Sequence, residues 1–330
     1  MTVRYFTAGG LRMDYVITPD QQVHLREMGG SAVYSAVGAG IWSTEIGILA
    51  RAGENCPQEW LDQLEIAGIS TQGVRRIPGW QDMRTFYAYL DRETRDDTDP
   101  GRHFARLGLP LPEDLRGYVH STVGHTSHDF MPLSVRPDDL PSSYFEASAA
   151  HLAPTGLRSH HTLASALAQR GMRVSADPGE RYMIPEAIDD VLCMLSHVDV
   201  FLPSEQEVNS MLGEKDPWAA ACWFAEAGPA VVVIKVGSKG SLIYHRDSRE
   251  HWHIPPYPTD VVDVTGAGDA FCGGFMVGLD ETDDPALAAC YGAVSASFVL
   301  EGFGALYATR CTRDQAEARL ALMKTKIERI

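Results

Sequence analysis

The chain has 330 residues, of which 45% are hydrophobic and 22% charged, and its net charge is −16. This composition is typical of a folded protein with a sizeable core, and it excludes wholesale disorder. Because an acidic surface repels nucleic-acid phosphates and anionic membranes, we expect a small-molecule partner and neither a nucleic acid nor a membrane.

The amino-terminal part of the chain predicts alternating strands and helices. Residues 3–8 are β-rich and run into a Gly-Gly turn, and residues 15–18 are also β-like. A run of small residues predicts a closely packed helix at 32–39. Residues 45–50 and 60–67 then resemble a strand and a helix. The order of strand, glycine turn, helix and strand is typical of an α/β sheet.

Residues 81–136 interrupt this alternation. Residues 85–90 are β-like, whereas residues 91–102 are highly charged and contain Asp-Pro-Gly. A segment so rich in charge is expected to stay exposed. We therefore expect the strand to belong to a small accessory sheet and the charged segment to be its loop.

Strands return in the second half of the chain, at residues 149–153, 172–176, 198–202 and 230–236. Each is followed closely by Gly, Pro or Asp. The last is nearly all apolar and β-branched, as expected for a parallel strand buried on both faces. Since open α/β enzymes place their sites at the carboxyl ends of such strands, we expect the functional residues there.

The cysteines and the amino terminus favour a cytoplasmic protein. The six cysteines are scattered and form no CxxC pair, which argues for reduced thiols over a disulfide framework. The first residues contain no long apolar segment followed by a small-residue cleavage pattern. No window approaches the length of a membrane span.

The most informative segment covers residues 263–275 and reads DVTGAGDAFCGGF. A side-chain-poor turn there enters a helix, so several backbone N–H groups are exposed at the positive end of the helix dipole. Gly266, Ala267 and Gly268 would form an anion hole for phosphate oxygens. Asp269, beside that hole, could accept the proton of an attacking hydroxyl. The alternative is that Asp269 only caps the helix.

This segment resembles the carboxy-terminal signature of the ribokinase-like (PfkB) carbohydrate kinase family, whose core reads Asp-Thr-x-Gly-Ala-Gly-Asp. The matching residues are Asp263, Thr265, Gly266, Ala267, Gly268 and Asp269. The resemblance implies a single α/β domain over residues 1–330: a three-layer α/β/α sandwich with a mostly parallel sheet. A small β-sheet lid would come from segments within 11–30 and 81–136. It also implies transfer of the γ-phosphate of ATP, with Mg²⁺, to an alcohol group, with Asp269 as base.

The resemblance extends to the substrate side. Gly29 and Gly30 match the family's glycine pair before a helix, and Asp14 fits the place of a carboxylate that binds substrate hydroxyls. An exposed turn carboxylate is the alternative for Asp14. Tyr34 stands where many members carry an Asn that touches the sugar. The pocket for the phosphate acceptor is therefore not expected to favour ribose. The alternative is that Tyr34 packs in the core between helix and sheet.

On the nucleotide side, the strand end and glycine turn at Lys235, Gly237 and Gly240 resemble the family's nucleotide-binding segment, with Lys235 replacing a frequent Thr. Ser204 and Glu207 stand in the place of the family's Asn-x-x-Glu, whose Glu orients Mg²⁺ through water. A helix N-cap followed by first-turn acids is the alternative for this pair.

Further implications of the resemblance concern ions and assembly. A monovalent cation such as K⁺ would bind beside the anion hole, with Asp263, Thr265 and Gly304 as candidate ligands. Arg181, in a segment similar to the family's Asp-Pro-Asn-x-Arg, is a candidate phosphate contact. Lids in this family often pair between subunits, which implies a homodimer.

Two other classes of protein remain as alternatives. One is a catalytically silent ribokinase-like protein that senses a sugar or nucleotide; Asp269 argues against it, since a sensor needs no base. The other is a Rossmann oxidoreductase, but residues 38–40 lack the third glycine and the preceding strand of a dinucleotide fingerprint. His125 and His128 resemble part of a metal cluster without further ligands at suitable spacing. The acceptor could be a sugar, sugar acid, polyol or nucleoside.

Overall fold

The computed structural model describes residues 2–91, 94–120, 122–126 and 128–330. Its strands are β1 (Tyr5–Ala8), β2 (Arg12–Ile17), β3 (Val23–Gly29), β4 (Ile46–Gly53), β5 (Ile69–Ile77), β6 (Arg84–Tyr89), β7 (Arg95–Asp96), β8 (Ala149–Leu152), β9 (Arg173–Ala176), β10 (Val200–Phe201), β11 (Val231–Lys235), β12 (Ser241–His245), β13 (Glu250–Ile254) and β14 (Glu328–Arg329). Its α-helices are α1 (Ser31–Gly40), α2 (Gln58–Ile66), α3 (Pro100–Arg106), α4 (Leu157–Ala168), α5 (Ile188–Leu195), α6 (Glu205–Leu212), α7 (Pro217–Glu226), α8 (Ala267–Thr282), α9 (Pro285–Leu300) and α10 (Arg313–Lys324). Among the described residues, no helix is both long enough and apolar enough to cross a membrane.

The central sheet has ten strands in the order β14-β13-β12-β11-β10-β9-β8-β1-β4-β5. All pairings from β11 to β5 are parallel, and those from β11 to β14 are antiparallel. The expected mostly parallel sheet is therefore confirmed. The parallel strands place their carboxyl ends, including those of β9 and β11, on one edge.

Helices cover the sheet on both faces, because alternate strand residues enter two separate cores. In β11, Val231 and Val233 pack in a core with α1, α8 and α9, whereas Val232 and Ile234 pack in another with α4, α5 and α7. Successive side chains of a strand point to opposite faces, so the two cores lie on opposite sides of the sheet. This arrangement confirms the predicted three-layer sandwich.

The small residues of α1 bring it into backbone contact with α8. A Cβ on Gly38 would overlap the backbone of Ala270, and one on Gly273 would overlap the carbonyl of Ser35. Only glycine permits two helices to approach so closely. This contact fixes the start of α8, which carries the predicted anion hole, against α1.

A separate four-stranded sheet has the order β3-β2-β6-β7. Its outer face carries a small apolar cluster with Tyr15 and Phe86, which packs against Phe104 of α3. By strand alternation and register, the opposite face carries Arg12, Asp14, Tyr87, Tyr89 and Arg95. We call these five residues the inner face, because this face is turned towards α8 and the central sheet: the Tyr89 hydroxyl contacts that of Thr265, just before α8.

The charged segment 91–102 is more ordered than its composition predicts. Arg95–Asp96 pairs with β6, and α3 begins within the segment, capped by the Asp99 carboxylate, which accepts from the N–H of Arg102. The burial of Phe104 against Phe86 anchors this helix. The expectation of a simple loop is wrong here because pairing with β6 and one buried aromatic offset the charge; residues 92–93 lie outside the described part.

Candidate active site

The turn before α8 presents free backbone donors. Gly266 adopts a left-handed conformation (φ 75°, ψ 3°) at the N-cap of the helix, with no side-chain cap. In the described part of the chain, the N–H groups of Gly266, Gly268 and Asp269 have no acceptor, whereas that of Ala267 donates to the carbonyl of Val264 at 3.3 Å. The unoccupied donors at this turn are therefore the N–H groups of Gly266, Gly268 and Asp269, and an anion hole built on Gly266, Ala267 and Gly268 stays a prediction. Such donors at a helix N-terminus suit an anion.

The Asp269 carboxylate lies in the first turn of α8 and makes no N-cap hydrogen bond. Within the described ranges it has no hydrogen-bond or ion-pair partner. Burial, reinforced by the charge of Asp177, raises the pKa of Asp269 to about 8, although Lys235 and Arg95 act in the opposite direction. A carboxyl group with a pKa near neutrality and no structural partner is suited to proton transfer.

A buried ion pair lies beside the turn. Lys235, at the end of β11, pairs through Nζ with Oδ2 of Asp177, just after β9. The same Nζ lies 3.7 Å from Sγ of Cys272 and 3.8 Å from the position that a Cβ would take on Gly268. Burial lowers the pKa of Lys235, but the attraction of Asp177 outweighs it and raises the pKa overall. Lys235 is therefore an ammonium group fixed beside the turn that precedes α8.

Ser204 and Glu207 form a reciprocal cap at the start of α6. The Ser204 Oγ accepts from the Glu207 N–H at 3.2 Å, while Oε2 of Glu207 accepts from the Ser204 N–H at 2.7 Å and from its hydroxyl at 2.8 Å. Burial, with the charge of Asp177, raises the pKa of Glu207 to about 7. The capping alternative thus describes this pair, and Oε1 of Glu207 keeps no partner among the described residues.

Asp14 is buried in β2, so the alternative of an exposed turn carboxylate is wrong. A Cβ on Gly29 would overlap the Asp14 carboxylate, which explains a glycine at that position. Gly30 has φ 101° and lies against the backbone of Gly10 and Arg12. Burial, with the nearby charge of Asp263, raises the pKa of Asp14 to about 7. That Asp14 binds the acceptor remains a prediction.

Tyr34 is buried in α1, with 4% of its surface exposed. It belongs to the core that contains α1 and α8, and its ring packs against Gly266, where a Cβ would overlap the ring. Burial raises its pKa well above the usual range, and Asp14 and Asp263 add to the effect. Tyr34 therefore supports the anion-hole turn, and a contact with the acceptor stays a prediction.

Two of the candidate cation ligands, Asp263 and Thr265, form a tight polar turn. Oδ1 of Asp263 accepts from the N–H of Thr265 at 3.0 Å and from its hydroxyl at 2.8 Å. The Thr265 hydroxyl also lies 2.9 Å from the Tyr89 hydroxyl, which links the small sheet to the turn. Gly304 lies opposite Glu27 of β3: a Cβ on Gly304 would be 3.6 Å from Oε2 of Glu27. A monovalent cation at these residues stays a prediction.

The remaining predicted residues lie apart from this centre. Gly237 and Gly240 have φ values of 58° and 95° in the turn from β11 to β12, as a glycine turn requires. His125 lies against Gly156, whereas His128 faces Asp190 at 3.8 Å. Within the described ranges, no group of three or more His, Cys, Asp or Glu side chains is arranged to hold a metal ion.

The sequence interpretation missed several residues that the fold brings to the site. Asp177 and Cys272 flank Lys235, and Arg12 and Arg95 join Asp14 on the inner face. The spacing of two between Arg12 and Asp14, just before the predicted strand at 15–18, was the available signal for the first arginine. No sequence signal pointed to Arg95, since it lies in the charged segment that was expected to be a loop.

Comparison with known proteins agrees with this geometry. Residues 141–310 match the pfkB family carbohydrate kinase model. The chain is 26% identical over 270 residues to a cytidine kinase of Thermococcus kodakarensis, covering 82% of this chain and 86% of that protein. An ATP-dependent ribose-1-phosphate kinase of Halopiger xanaduensis is 24% identical over 272 residues, covering 81% and 79%. An E. coli protein described as a ribokinase II in complex with ATP and Mg²⁺ shares the fold, with a TM-score of 0.72, 18% identity and coverage of 97% and 99%.

The fold and the family match define a phosphotransferase of the ribokinase-like class. Because the family match covers more than half of the residues, the chain belongs to the pfkB family of carbohydrate kinases. It is a kinase of small molecules of the sugar or nucleoside type.

Proposed function

We propose that the chain transfers the γ-phosphate of ATP to an alcohol group of a sugar-like molecule, with Asp269 as the general base. The observation that carries this proposal is the Asp269 carboxylate, which lies beside the free N–H groups of Gly266 and Gly268 without a partner of its own among the described residues. A helix cap would be hydrogen-bonded to its helix. A base has to be free to receive a proton.

The role proposed for each residue follows from its position in the site. The N–H groups of Gly266, Gly268 and Asp269 would bind oxygens of the transferring phosphoryl group, and Lys235 Nζ would add a positive charge on the donor side. Asp14 would hold the acceptor. The P–O bond to ADP breaks as the acceptor oxygen bonds to phosphorus, and the hydroxyl proton moves to Asp269.

Magnesium fits the acidic residues around Lys235. Oδ1 of buried Asp177 has no hydrogen-bond partner, and Oε1 of Glu207 is similarly unused in the described part of the chain. Carboxylate oxygens and water are the ligands that Mg²⁺ prefers. Asp177 and Glu207 would hold Mg²⁺ directly or through water, and the ion would neutralise phosphate charge when bound.

The small sheet is suited to act as a lid. The Tyr89 hydroxyl contacts the Thr265 hydroxyl, and the His24 ring stacks on Phe303 at 3.8 Å between ring centres, so β6 contacts the turn before α8 and β3 contacts the turn after α9. Excluding water from this cleft would protect the phosphoryl group from hydrolysis. We propose that the sheet opens for exchange of substrates and closes for transfer.

The test is Asp269→Asn, which keeps the side-chain size but cannot accept the proton. Turnover of the best acceptor in a panel of sugars, sugar phosphates, sugar acids, polyols and nucleosides should fall by about 10²–10⁴-fold. Nucleotide affinity, measured by calorimetry, should change little. Asp283→Asn, at the other end of α8, is the matched control and should keep full activity.

The sensing alternative makes a different forecast. A silent sensor would bind a sugar or nucleotide with no ATP consumption for any acceptor, and Asp269→Asn would leave that binding unchanged. Activity of Asp269→Asn within a few-fold of the parent protein would contradict the role of this carboxylate.

A further inference from the structure

A buried hydroxyl group lies level with Asp14 in the small sheet. The register of the parallel β2–β6 pairing places Thr85 opposite Asp14. Residues that are level on neighbouring strands point to the same face of a sheet, so Thr85 lies on the same side as the inner face. Only 2% of Thr85 is exposed, and its Oγ1 has no hydrogen-bond partner among the described residues. The sheet therefore carries, beside Asp14, a polar group that the fold itself does not use.

Two other buried threonine hydroxyls are hydrogen-bonded within the fold. Oγ1 of Thr7 donates to the carbonyl of Ala32 at 2.7 Å, and Oγ1 of Thr18, just after β2, accepts from the N–H of Gln22 at 2.9 Å. A buried hydroxyl left unpaired is unfavourable, and such groups are rare in folded proteins. The unpaired hydroxyl of Thr85 thus indicates a partner that binds from outside the chain.

The Asp14 carboxylate is also free, and it is turned away from Thr85. It is buried and has no hydrogen-bond or ion-pair partner in the described part of the chain. It leans over β3, because a Cβ on Gly29 would overlap it. Thr85 lies on the opposite side, since β2 stands between β3 and β6. Neighbouring strands are about 4.8 Å apart, so the carboxylate and the hydroxyl leave a gap that suits one further hydroxyl group.

Two contacts connect the face that carries this gap with the turn before α8. Gly29 leads through Gly30 into α1, whose Tyr34 ring lies against Gly266 of that turn. On β6, the Tyr89 hydroxyl contacts that of Thr265 just before α8. The gap is therefore on the side of the small sheet that faces the place where phosphoryl transfer would occur.

We infer that Thr85 is a specificity residue, which binds a non-reacting hydroxyl of the acceptor together with Asp14. This inference rests on the proposed function, in which the reacting hydroxyl is a different one, at Asp269. An ionised carboxylate only accepts hydrogen bonds, so a hydroxyl that donates to Asp14 still needs a donor for its own oxygen. The O–H of Thr85 supplies that donor. An acceptor without this hydroxyl leaves two buried polar groups unpaired, and the site therefore rejects it.

The experiment measures kcat/KM at saturating ATP and Mg²⁺ for the best acceptor of the panel and for its analogues that lack one hydroxyl. Such analogues are 2-deoxyribose for ribose, and 2′- and 3′-deoxycytidine for cytidine. In the parent protein, one deoxy analogue should be poorer by about 100-fold or more. Thr85→Val keeps the shape and removes the hydroxyl. It should lower kcat/KM for the full acceptor about tenfold and leave that analogue, and KM for ATP, within about twofold.

Two further variants control this result. Thr85→Ser keeps a hydroxyl at the same place and should retain kcat/KM within about threefold of the parent value. Thr162→Val is the matched control on α4, where the hydroxyl donates to the carbonyl of Arg158, and it should change neither constant. A loss in Thr85→Val that is equal for the full acceptor and its analogues would overturn the inference and leave the kinase function intact.

Thermal unfolding and calorimetry give readouts that do not depend on turnover. Without acceptor, Thr85→Val should melt at or above the parent midpoint, because it removes an unpaired buried hydroxyl. A clearly lower midpoint would show that Thr85 is a structural residue and would also overturn the inference. Titration of the ADP-bound protein should show weaker binding of the full acceptor, but not of its deoxy analogue, to Thr85→Val. If that difference appeared while no compound was phosphorylated, the kinase proposal would fail instead, and Thr85 would bind the ligand of a sensor.

Discussion

The ring of Tyr34 lies against Gly266, so that a single methyl group added to Gly266 would overlap the ring. This contact joins α1, next to the predicted acceptor site, to the turn that presents the free N–H groups. Gly266 also has φ 75°, a conformation that side chains rarely adopt. The conformation of the anion hole therefore depends on a residue well separated from it in the sequence.

Gly266→Ala should lower turnover at least 100-fold, because the added Cβ meets the Tyr34 ring and displaces the N–H groups. The double variant Gly266→Ala/Tyr34→Ala removes the overlap and should recover at least tenfold of the loss. Gly171→Ala is the control for backbone strain alone: Gly171, at the end of α4, also has φ 75° but nothing lies within 4 Å of its added Cβ. The measurement is kcat together with the thermal midpoint. A double variant no better than the single one would contradict the role of the Tyr34 contact.

Lys235→Met should destabilise the protein, because it leaves the buried Asp177 carboxylate without its cation. Breaking a buried pair costs about 3–5 kcal/mol in the free energy of unfolding. Lys235→Met/Asp177→Asn removes both charges and should recover most of that stability, but not the activity. Urea denaturation measures the stability of each variant. Phosphorylation of the acceptor at increasing ATP concentration measures its activity. Equal stability of the two variants would show that the pair is not energetically coupled.

The activity should depend on pH through Asp269. The base must be ionised to accept a proton, and its pKa is raised to about 8. We therefore expect kcat/KM to rise with pH and level off above about 8, or somewhat lower if bound Mg²⁺ draws the pKa down. Because Arg95 lowers the pKa of Asp269, Arg95→Gln should move this limb to higher pH. An acidic limb near pH 4 in the parent protein would contradict the assignment.

The same raised pKa has a consequence for stability. The folded pKa of Asp269 lies above the ordinary value near 4 that holds in the unfolded chain. The folded state therefore binds this proton more tightly, and stability is lost as pH rises from about 4 to about 8. Asp269→Asn should consequently melt at least about 2 °C above the parent protein at pH 8, and the difference should shrink at pH 5. Differential scanning calorimetry at the two pH values is the test. An Asn variant that melts lower at pH 8 would contradict the burial of an uncompensated carboxylate.

The sequence by itself determined the α/β alternation and the turn before α8, and the three-layer sandwich followed from the family resemblance. These features depend on contiguous residues: a buried parallel strand needs an unbroken apolar run, as in Val231–Lys235, and a left-handed turn at a helix start needs a glycine such as Gly266. Asp269 was found for the same reason, since its place follows directly from the turn. Local rules of backbone conformation were sufficient for the alternation and the turn, whereas the role of Asp269 as a base came from the family resemblance.

Only the tertiary structure decided where the side chains point. Lys235 lies next to a glycine turn in the sequence, yet its ammonium group binds Asp177, which β9 places beside it. Arg95 belongs to a charged run, yet pairing with β6 turns it towards Asp14 and Asp269. The direction of a side chain depends on strand register and on the partners available across the sheet. These arise from segments far apart in the chain, and local composition does not encode them.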